Sequence, residues 1–79
     1  MISILLADDH DLMRQGIRTL LEMQPNFEIC AEARDGVEAV EKAIENRPDV
    51  VVLDVSMPKM NGLDAARQIR AQLPDTRIL

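Results

Sequence analysis

Two short apolar runs, each followed at once by acidic residues, constrain this chain more than any other feature. Asp8 and Asp9 follow the run Ile4–Ala7, and Asp54 follows the run Val50–Leu53. Runs of this length and branching are typical of strands that are buried on both faces of a parallel sheet. The chain is therefore expected to fold around strands that end in carboxylates.

Strand and helix patterns alternate along the whole sequence. The patterns predict strands at residues 2–7, 27–33, 50–53 and 76–79, and helices at about residues 11–23, 36–46 and 63–73. Asp35 is expected to cap the second helix. The buried helix faces are expected to be Met13, Ile17, Leu20 and Leu21; Val37, Val40 and Ile44; and Leu63, Ala66, Ile69 and Leu73.

This βαβαβαβ order predicts an α/β fold, a doubly wound parallel sheet with helices on both faces. If the third strand pairs with the first, on the side away from the second, the strand order begins 2-1-3. In open sheets of this kind, ligands bind beyond the carboxyl ends of the strands, where the strand order reverses. Asp8, Asp9 and Asp54 would then meet at that edge.

Three carboxylates at one edge repel one another unless a cation joins them. Oxygen ligands of this kind suit Mg²⁺. The sequence thus predicts an acidic magnesium pocket formed by Asp8, Asp9 and Asp54, acting on an anionic group that the metal can bridge. The alternative is local, because Asp is also favoured at helix N-termini and where strands emerge into solvent.

Composition limits the class of protein. Seventy-nine residues make one small domain, and a net charge of −5 with scattered basic residues argues against direct binding of nucleic acid or anionic membranes. Cys30 is the only cysteine, which fits a reducing cytoplasm. The N-terminal apolar stretch lacks a basic leader, and no run approaches the length of a membrane span. A cytoplasmic protein is expected.

Five blocks of sequence carry a family resemblance. They are Leu6 to His10, Arg14-x-Gly16, Glu32 to Gly36, Pro48 to Asp54, and Met57 to Gly62. Together they resemble the receiver domain of bacterial two-component response regulators, in the LuxR/NarL/FixJ-type subgroup that carries a helix-turn-helix output. The resemblance implies a three-layer, flavodoxin/CheY-like fold, of which this chain would form an incomplete sheet in the order 2-1-3-4.

The resemblance also implies roles for particular residues. Asp54 would be the phospho-acceptor, which takes a phosphoryl group from a sensor histidine kinase. Asp9 would bind Mg²⁺ directly, Asp8 through a metal-bound water, and Ser56 through its backbone carbonyl. The chain would be a switching module rather than an enzyme, and in the full-length protein it would regulate transcription through a DNA-binding output domain.

The chain departs from the family pattern at its C-terminus. The resemblance implies a Ser or Thr at the end of the fourth strand and a Lys at the end of a fifth, and neither Lys59 nor Arg77 matches. Residues 1–79 are therefore expected to be the N-terminal part of a receiver domain, without an output domain. Impaired phosphotransfer and switching are expected, together with dimerisation or domain swapping through uncovered apolar surface.

Two other functions remain open at this point. One is a Mg²⁺-dependent phosphatase of the haloacid dehalogenase type, but Ser56 stands where that class needs a second Asp. The other is a fragment that serves only as an oligomerising scaffold. Among the remaining residues, Met57 and Met60 are expected to pack rather than bind metal. His10 is expected to be an exposed first-turn residue outside the site, and Cys30 to be unreactive.

Overall fold

The computed structural model of the protein describes all 79 residues, and strands alternate with helices throughout. The strands are β1 (Ile2–Ala7), β2 (Phe27–Ala33), β3 (Val50–Leu53) and β4 (Arg77–Ile78). The helices are α1 (Asp11–Glu22), α2 (Gly36–Asn46) and α3 (Gly62–Gln72). The predicted order of elements is confirmed. None of the three helices combines the length and hydropathy that crossing a bilayer requires.

The four strands form one parallel sheet in the order β2-β1-β3-β4, as predicted. In the centre, Ala7 of β1 lies opposite both Ala33 of β2 and Leu53 of β3. These three strands therefore end at the same level. The residues that follow them share one edge of the sheet.

Helices α2 and α3 pack against each other on one face of the sheet and enclose the main core. The buried core residues are Leu5, Val40, Ala43, Val51, Ala65, Ile69 and Leu73. Leu6 and Val52 alternate with the core residues of their strands and line a groove with Met13 and Ile17 of α1. Since neighbouring strand residues point to opposite faces, α1 lies on the other side, and the three-layer arrangement is confirmed.

A second, smaller cluster lies under the edge where the strands end. It consists of Ala7, Ala33, Ala39 and Met57, and Leu53 packs against it. Met57 is thus a packing residue, as predicted. Three alanines leave room for the start of α2 to lie close to the sheet. Asp35 caps this helix as predicted, because its side chain accepts a hydrogen bond from the Glu38 backbone N–H at 2.8 Å.

The helix faces predicted from apolar spacing were partly wrong. In α2, Ala39, Val40 and Ala43 are buried, whereas Val37 and Ile44 are exposed. The small alanine side chains allow close approach of the helix to the sheet, so they face it in place of the larger residues.

The buried face of helix α3 also differs from the predicted one. Ala65 and Ile69 are buried and Leu63 is exposed, although Leu63 was predicted to face the core. Leu73, just after the helix, is buried as predicted.

Helix α1 departs furthest from the prediction, since none of its residues is fully buried. Ile17 and Leu21 are half-buried, and Met13 and Leu20 are exposed. The contacts of α1 with β1 and β2 cover only part of its apolar stripe.

Strand β2 lies at the edge of the sheet, as the predicted order 2-1-3-4 requires, and one irregularity interrupts its pairing with β1. Ile29 pairs with Ile4 and Ala31 pairs with Leu5, so Cys30 is an extra residue in a bulge. The half-buried Cys30 thiol donates a hydrogen bond to the Ile4 carbonyl at 3.4 Å. Burial raises the pKa of this thiol, which agrees with the expectation that it is unreactive.

Candidate functional site

The main chain brings the acidic residues of β1 and β3 together. The Asp54 backbone N–H donates to the Ala7 carbonyl at 3.0 Å, and the Asp8 backbone N–H donates to the Ala33 carbonyl at 3.0 Å. Both bonds continue the sheet by one residue beyond the strands. They hold the backbones of Asp8 and Asp54 next to each other, although the two residues are far apart in sequence.

The side chains converge as the sequence predicts. One oxygen from each of Asp8, Asp9 and Asp54, and one ring nitrogen of His10, all lie within 4.8 Å of one another. Asp8 is buried, with 5% of its surface exposed, whereas Asp9 is exposed and Asp54 is half-buried. The cluster therefore has a buried floor at Asp8 and an open side through which an ion or a phosphoryl group can approach.

His10 belongs to this cluster, and the prediction that it lies outside the site was wrong. Its Nδ1 lies 2.7 Å from Asp8 Oδ1, 3.1 Å from Asp9 Oδ1 and 3.5 Å from Asp54 Oδ2. The hydrogen bond to Asp8, then attraction to Asp9, raises the pKa of His10 above its ordinary 6.5. The expected exposure is confirmed, since 60% of the side chain is exposed.

A local signal for the role of His10 was present in the sequence. His10 directly follows two acidic residues, and it is the residue that precedes α1. Its backbone N–H donates to Asp8 Oδ1 at 2.8 Å, which turns the chain back over Asp8 and brings the imidazole to the carboxylates.

The loop between Asp54 and α3 is held close to the acidic cluster. The Ser56 backbone N–H donates to Asp54 Oδ1 at 3.3 Å, and the Gly62 backbone N–H donates to the Val55 carbonyl at 2.9 Å. The first bond orients the Asp54 carboxylate. Ser56 itself is exposed, and the role expected for its carbonyl remains a prediction.

Gly62 is required by close packing. A Cβ at this position would lie 2.3 Å from the Asp54 carbonyl oxygen, so no larger residue fits without moving the backbone. Gly62 does not have a positive φ, so close packing and not a left-handed backbone explains why glycine is needed here. Gly36 meets the same constraint against the Met60 carbonyl, at 1.9 Å. These two contacts fix the loop between the acidic edge and α2.

The cations that sequence reasoning set aside do lie away from the cluster. Lys59 Nζ lies 3.5 Å from Asp35 Oδ2, and this ion pair contributes to a lowered pKa of Asp35, whose main cause is the hydrogen bond from the Glu38 N–H. Arg77 pairs with Val50, at the opposite end of β3 from Asp54. By contrast, Arg14 Nη1 contacts the Asp8 carbonyl at 2.6 Å, which sequence reasoning missed.

The chemistry of the donor set fits a hard divalent cation. Three carboxylates supply anionic oxygens around a common point, and such ligands are preferred by Mg²⁺. The imidazole of His10 is the one nitrogen donor in the group. The arrangement can hold a cation against Asp54 and leave that carboxylate accessible from solvent.

Comparison with known proteins identifies the family and confirms the fold. Residues 4–79 match the family model of the response regulator receiver domain. The chain belongs to this family. This match confirms the resemblance to receiver domains and argues against the haloacid dehalogenase alternative.

The relatives of this receiver domain include transcription regulators. The chain is 42% identical over 78 residues to the transcriptional regulatory protein DegU of Brevibacillus brevis, covering 99% of this chain and 33% of DegU. A LuxR-family two-component response regulator from Aurantimonas has a solved structure with a TM-score of 0.93 and 40% identity. That match covers 99% of this chain and 56% of the other. The LuxR-type relationship is thus confirmed.

A second similar structure contains two proteins together with an ion and an anion. It is the complex of CheX, CheY, BeF₃⁻ and Mg²⁺ from Borrelia burgdorferi, with a TM-score of 0.88 and 30% identity. The match covers 98% of this receiver domain and 58% of that chain. This chain therefore spans about a third of the length of the DegU relative and little more than half of the two solved chains.

Proposed function

We propose that this chain is the phospho-accepting module of a two-component response regulator, in which Asp54 receives a phosphoryl group with the help of Mg²⁺. The observation that carries the proposal is the meeting of the Asp8, Asp9 and Asp54 carboxylates at the carboxyl ends of two neighbouring parallel strands. Such an arrangement is unfavourable without a cation, which gives it a chemical purpose beyond that of a helix cap.

Four groups would hold the metal. Asp9 and Asp54 would contribute carboxylate oxygens, Asp8 would act through a metal-bound water, and Ser56 would contribute its backbone carbonyl. When bound, Mg²⁺ supplies positive charge that offsets the repulsion between Asp54 and the oxygens of an incoming phosphoryl group. The similar CheY complex, which contains Mg²⁺ and BeF₃⁻, supports this choice of ion and of anion.

Asp54 is suited to the role of nucleophile by its position. The carboxylate is half-buried, and the Ser56 N–H holds its Oδ1, which leaves Oδ2 on the side of His10. In the transfer step, a carboxylate oxygen of Asp54 forms a bond to phosphorus. The bond from phosphorus to the histidine nitrogen of the donor breaks, and its electron pair stays on that nitrogen. An acyl phosphate on Asp54 results.

The proposed phosphodonor is a sensor histidine kinase in the cytoplasm. The full-length protein would regulate transcription through a separate DNA-binding domain, which the names and greater length of relatives such as DegU support. This segment itself carries a net charge of −5, which disfavours direct contact with DNA.

The proposal is tested by phosphorylation with acetyl phosphate and Mg²⁺, followed by intact mass spectrometry. Because phosphotransfer by residues 1–79 is expected to be impaired, we expect a single phosphoryl adduct on the wild-type chain that is weak or short-lived, and that is lost in Asp54→Asn and in the presence of a chelator. Asp75→Asn is the matched control, since Asp75 is exposed and remote from the cluster, and it should retain the adduct. Equal labelling of wild type and Asp54→Asn would refute the assignment of the nucleophile.

A further inference from the structure

Arg14 connects the loop that carries the acidic pair to the neighbouring strand. Its side chain is only 12% exposed, although it lies on the otherwise poorly buried helix α1. Three of its nitrogens make separate hydrogen bonds. Nη1 donates to the Asp8 carbonyl at 2.6 Å, Nε donates to Glu32 Oε1 at 2.9 Å, and Nη2 donates to Asp11 Oδ1 at 2.8 Å.

The bond to the Asp8 carbonyl matters because of where this carbonyl lies. It belongs to the peptide unit that joins Asp8 to Asp9, and a peptide unit is planar. Holding its oxygen therefore restricts the backbone on both sides, and with it the directions in which the two carboxylates leave the chain. On the strand side, the Asp8 N–H is already held by the Ala33 carbonyl at 3.0 Å.

The other end of the guanidinium is anchored to a rigid element. Glu32 belongs to β2 and pairs with Leu6 of β1. Its second carboxylate oxygen accepts a hydrogen bond from Arg18, and its backbone carbonyl accepts one from Lys42 Nζ at 2.5 Å. Glu32 is thus held from both α1 and α2. It gives Arg14 a fixed point from which to orient the loop.

Only a guanidinium can make this connection. Its donors point in fixed, divergent directions, whereas the ammonium of lysine is a point charge on a flexible stem. Burial lowers the pKa of Arg14, but hydrogen bonds to Glu32 and Asp11 outweigh this effect and leave it above the ordinary value. The group is therefore always charged.

We propose that Arg14 is a positioning residue for the acidic cluster, holding the Asp8–Asp9 peptide so that both carboxylates face the cation and Asp54. This inference rests on the proposed function of the cluster. Arg14 is not one of the groups that would hold the metal, and it would act through its bond to the Asp8 carbonyl. Loss of such an outer contact typically lowers metal affinity by about 10- to 100-fold.

The test compares Mg²⁺ affinity in Arg14→Gln, Arg14→Lys and Arg18→Gln, measured by NMR titration of backbone amides. Arg18 is the matched control, because it lies one turn further along α1 and contacts Glu32 but not the acidic loop. We expect the dissociation constant for Mg²⁺ to rise at least about tenfold in both Arg14 variants and to stay within about twofold in Arg18→Gln.

Urea unfolding without metal separates positioning from stability. Arg14→Gln and Arg18→Gln each remove an ion pair with Glu32, and Arg14→Gln also removes the bonds to Asp8 and Asp11, so we expect the larger loss of stability in Arg14→Gln. Mg²⁺ affinities are therefore compared only under conditions in which the urea curves show each variant to be fully folded. If Arg14→Gln does not fold, Arg14→Lys retains the charge and decides the matter. Wild-type affinity in a folded Arg14 variant, or equal weakening in Arg18→Gln, would overturn the inference. Absence of Mg²⁺ binding by the wild-type chain would instead refute the proposed function.

Discussion

At the scale of single residues, the site depends on how three neighbouring negative charges are balanced. His10 Nδ1 lies among the carboxylates, at 2.7–3.5 Å from an oxygen of each. A protonated imidazole there supplies positive charge in the absence of metal. His10 and a divalent cation are thus alternative partners for the same oxygens.

This balance predicts a pH dependence of stability. Because the folded-state pKa of His10 is raised, its stabilising contribution is fully present below its ordinary value of 6.5 and is lost as pH rises through the raised pKa. In urea unfolding without metal, we expect wild type to be more stable than His10→Gln at about pH 6 and equally stable at about pH 9.

Added Mg²⁺ provides the control for this experiment. It should shrink the difference between wild type and His10→Gln at the lower pH, because the metal takes over the carboxylates. A stability difference that is the same at both pH values would show that the imidazolium makes no contribution.

At the scale of elements, two helical glycines differ in their surroundings: Gly62 is closely packed and Gly16 is not. Gly62 begins α3 against the backbone of Asp54, whereas a Cβ at Gly16, within α1, would meet nothing within 4 Å. We expect Gly62→Ala to destabilise the fold by roughly 1–3 kcal/mol through overpacking. We expect Gly16→Ala to stabilise it by about 0.5–1 kcal/mol, because alanine favours the helix.

Chemical denaturation of the two variants checks this pair. Gly62→Ala should also weaken Mg²⁺ binding, since the backbone that must move carries Asp54, whereas Gly16→Ala should leave binding unchanged. Equal stability changes of the same sign would contradict the packing argument.

The helices also illustrate the limit of periodicity as a guide. Apolar spacing located α2 and α3 correctly, but the buried faces are shifted towards Ala39, Ala43 and Ala65. A prediction from hydropathy places the largest apolar side chains in the core. In the structure, alanines face the sheet instead, because a helix can pack closer to the sheet across small side chains.

At the scale of the whole molecule, apolar surface remains uncovered on both faces of the sheet. A groove of about 360 Å³ runs between α1 and β3, and one of about 350 Å³ lies beside α3 and β4. Several large apolar side chains are also exposed on the surface of the molecule. They include Leu12, Met13, Leu20, Met23, Val55, Leu63 and Leu79. Exposed surface of this kind favours association.

We therefore propose that the 79-residue chain self-associates, and light scattering at increasing concentration tests this. The average mass should rise with concentration in wild type and in Gln15→Lys, whose site is polar and exposed. It should rise less in Leu20→Lys, which places a charge on the apolar stripe of α1. A monomer at all concentrations up to about 1 mM would refute the proposal.

The order of strands and helices and the place of the acidic residues were readable from the sequence alone. Both follow from local sequence patterns. Apolar runs predict β1 and β3, and Asp8, Asp9 and Asp54 come directly after these runs. Parallel pairing then requires that the ends of these strands meet at one edge. The convergence of the three carboxylates follows from these two facts together with the pairing of β1 with β3, which was an assumption at the level of sequence and which the sheet confirms.

Other features were decided only by the tertiary structure. The contact of His10 with Asp54, and the bond from Arg14 to the Asp8 carbonyl, depend on how the start of α1 sits against the sheet. The need for glycine at position 62 depends on the carbonyl of Asp54, the residue that directly follows β3. Local patterns specify which elements form. Distances between side chains of different elements are set by how those elements pack, and no single segment encodes them.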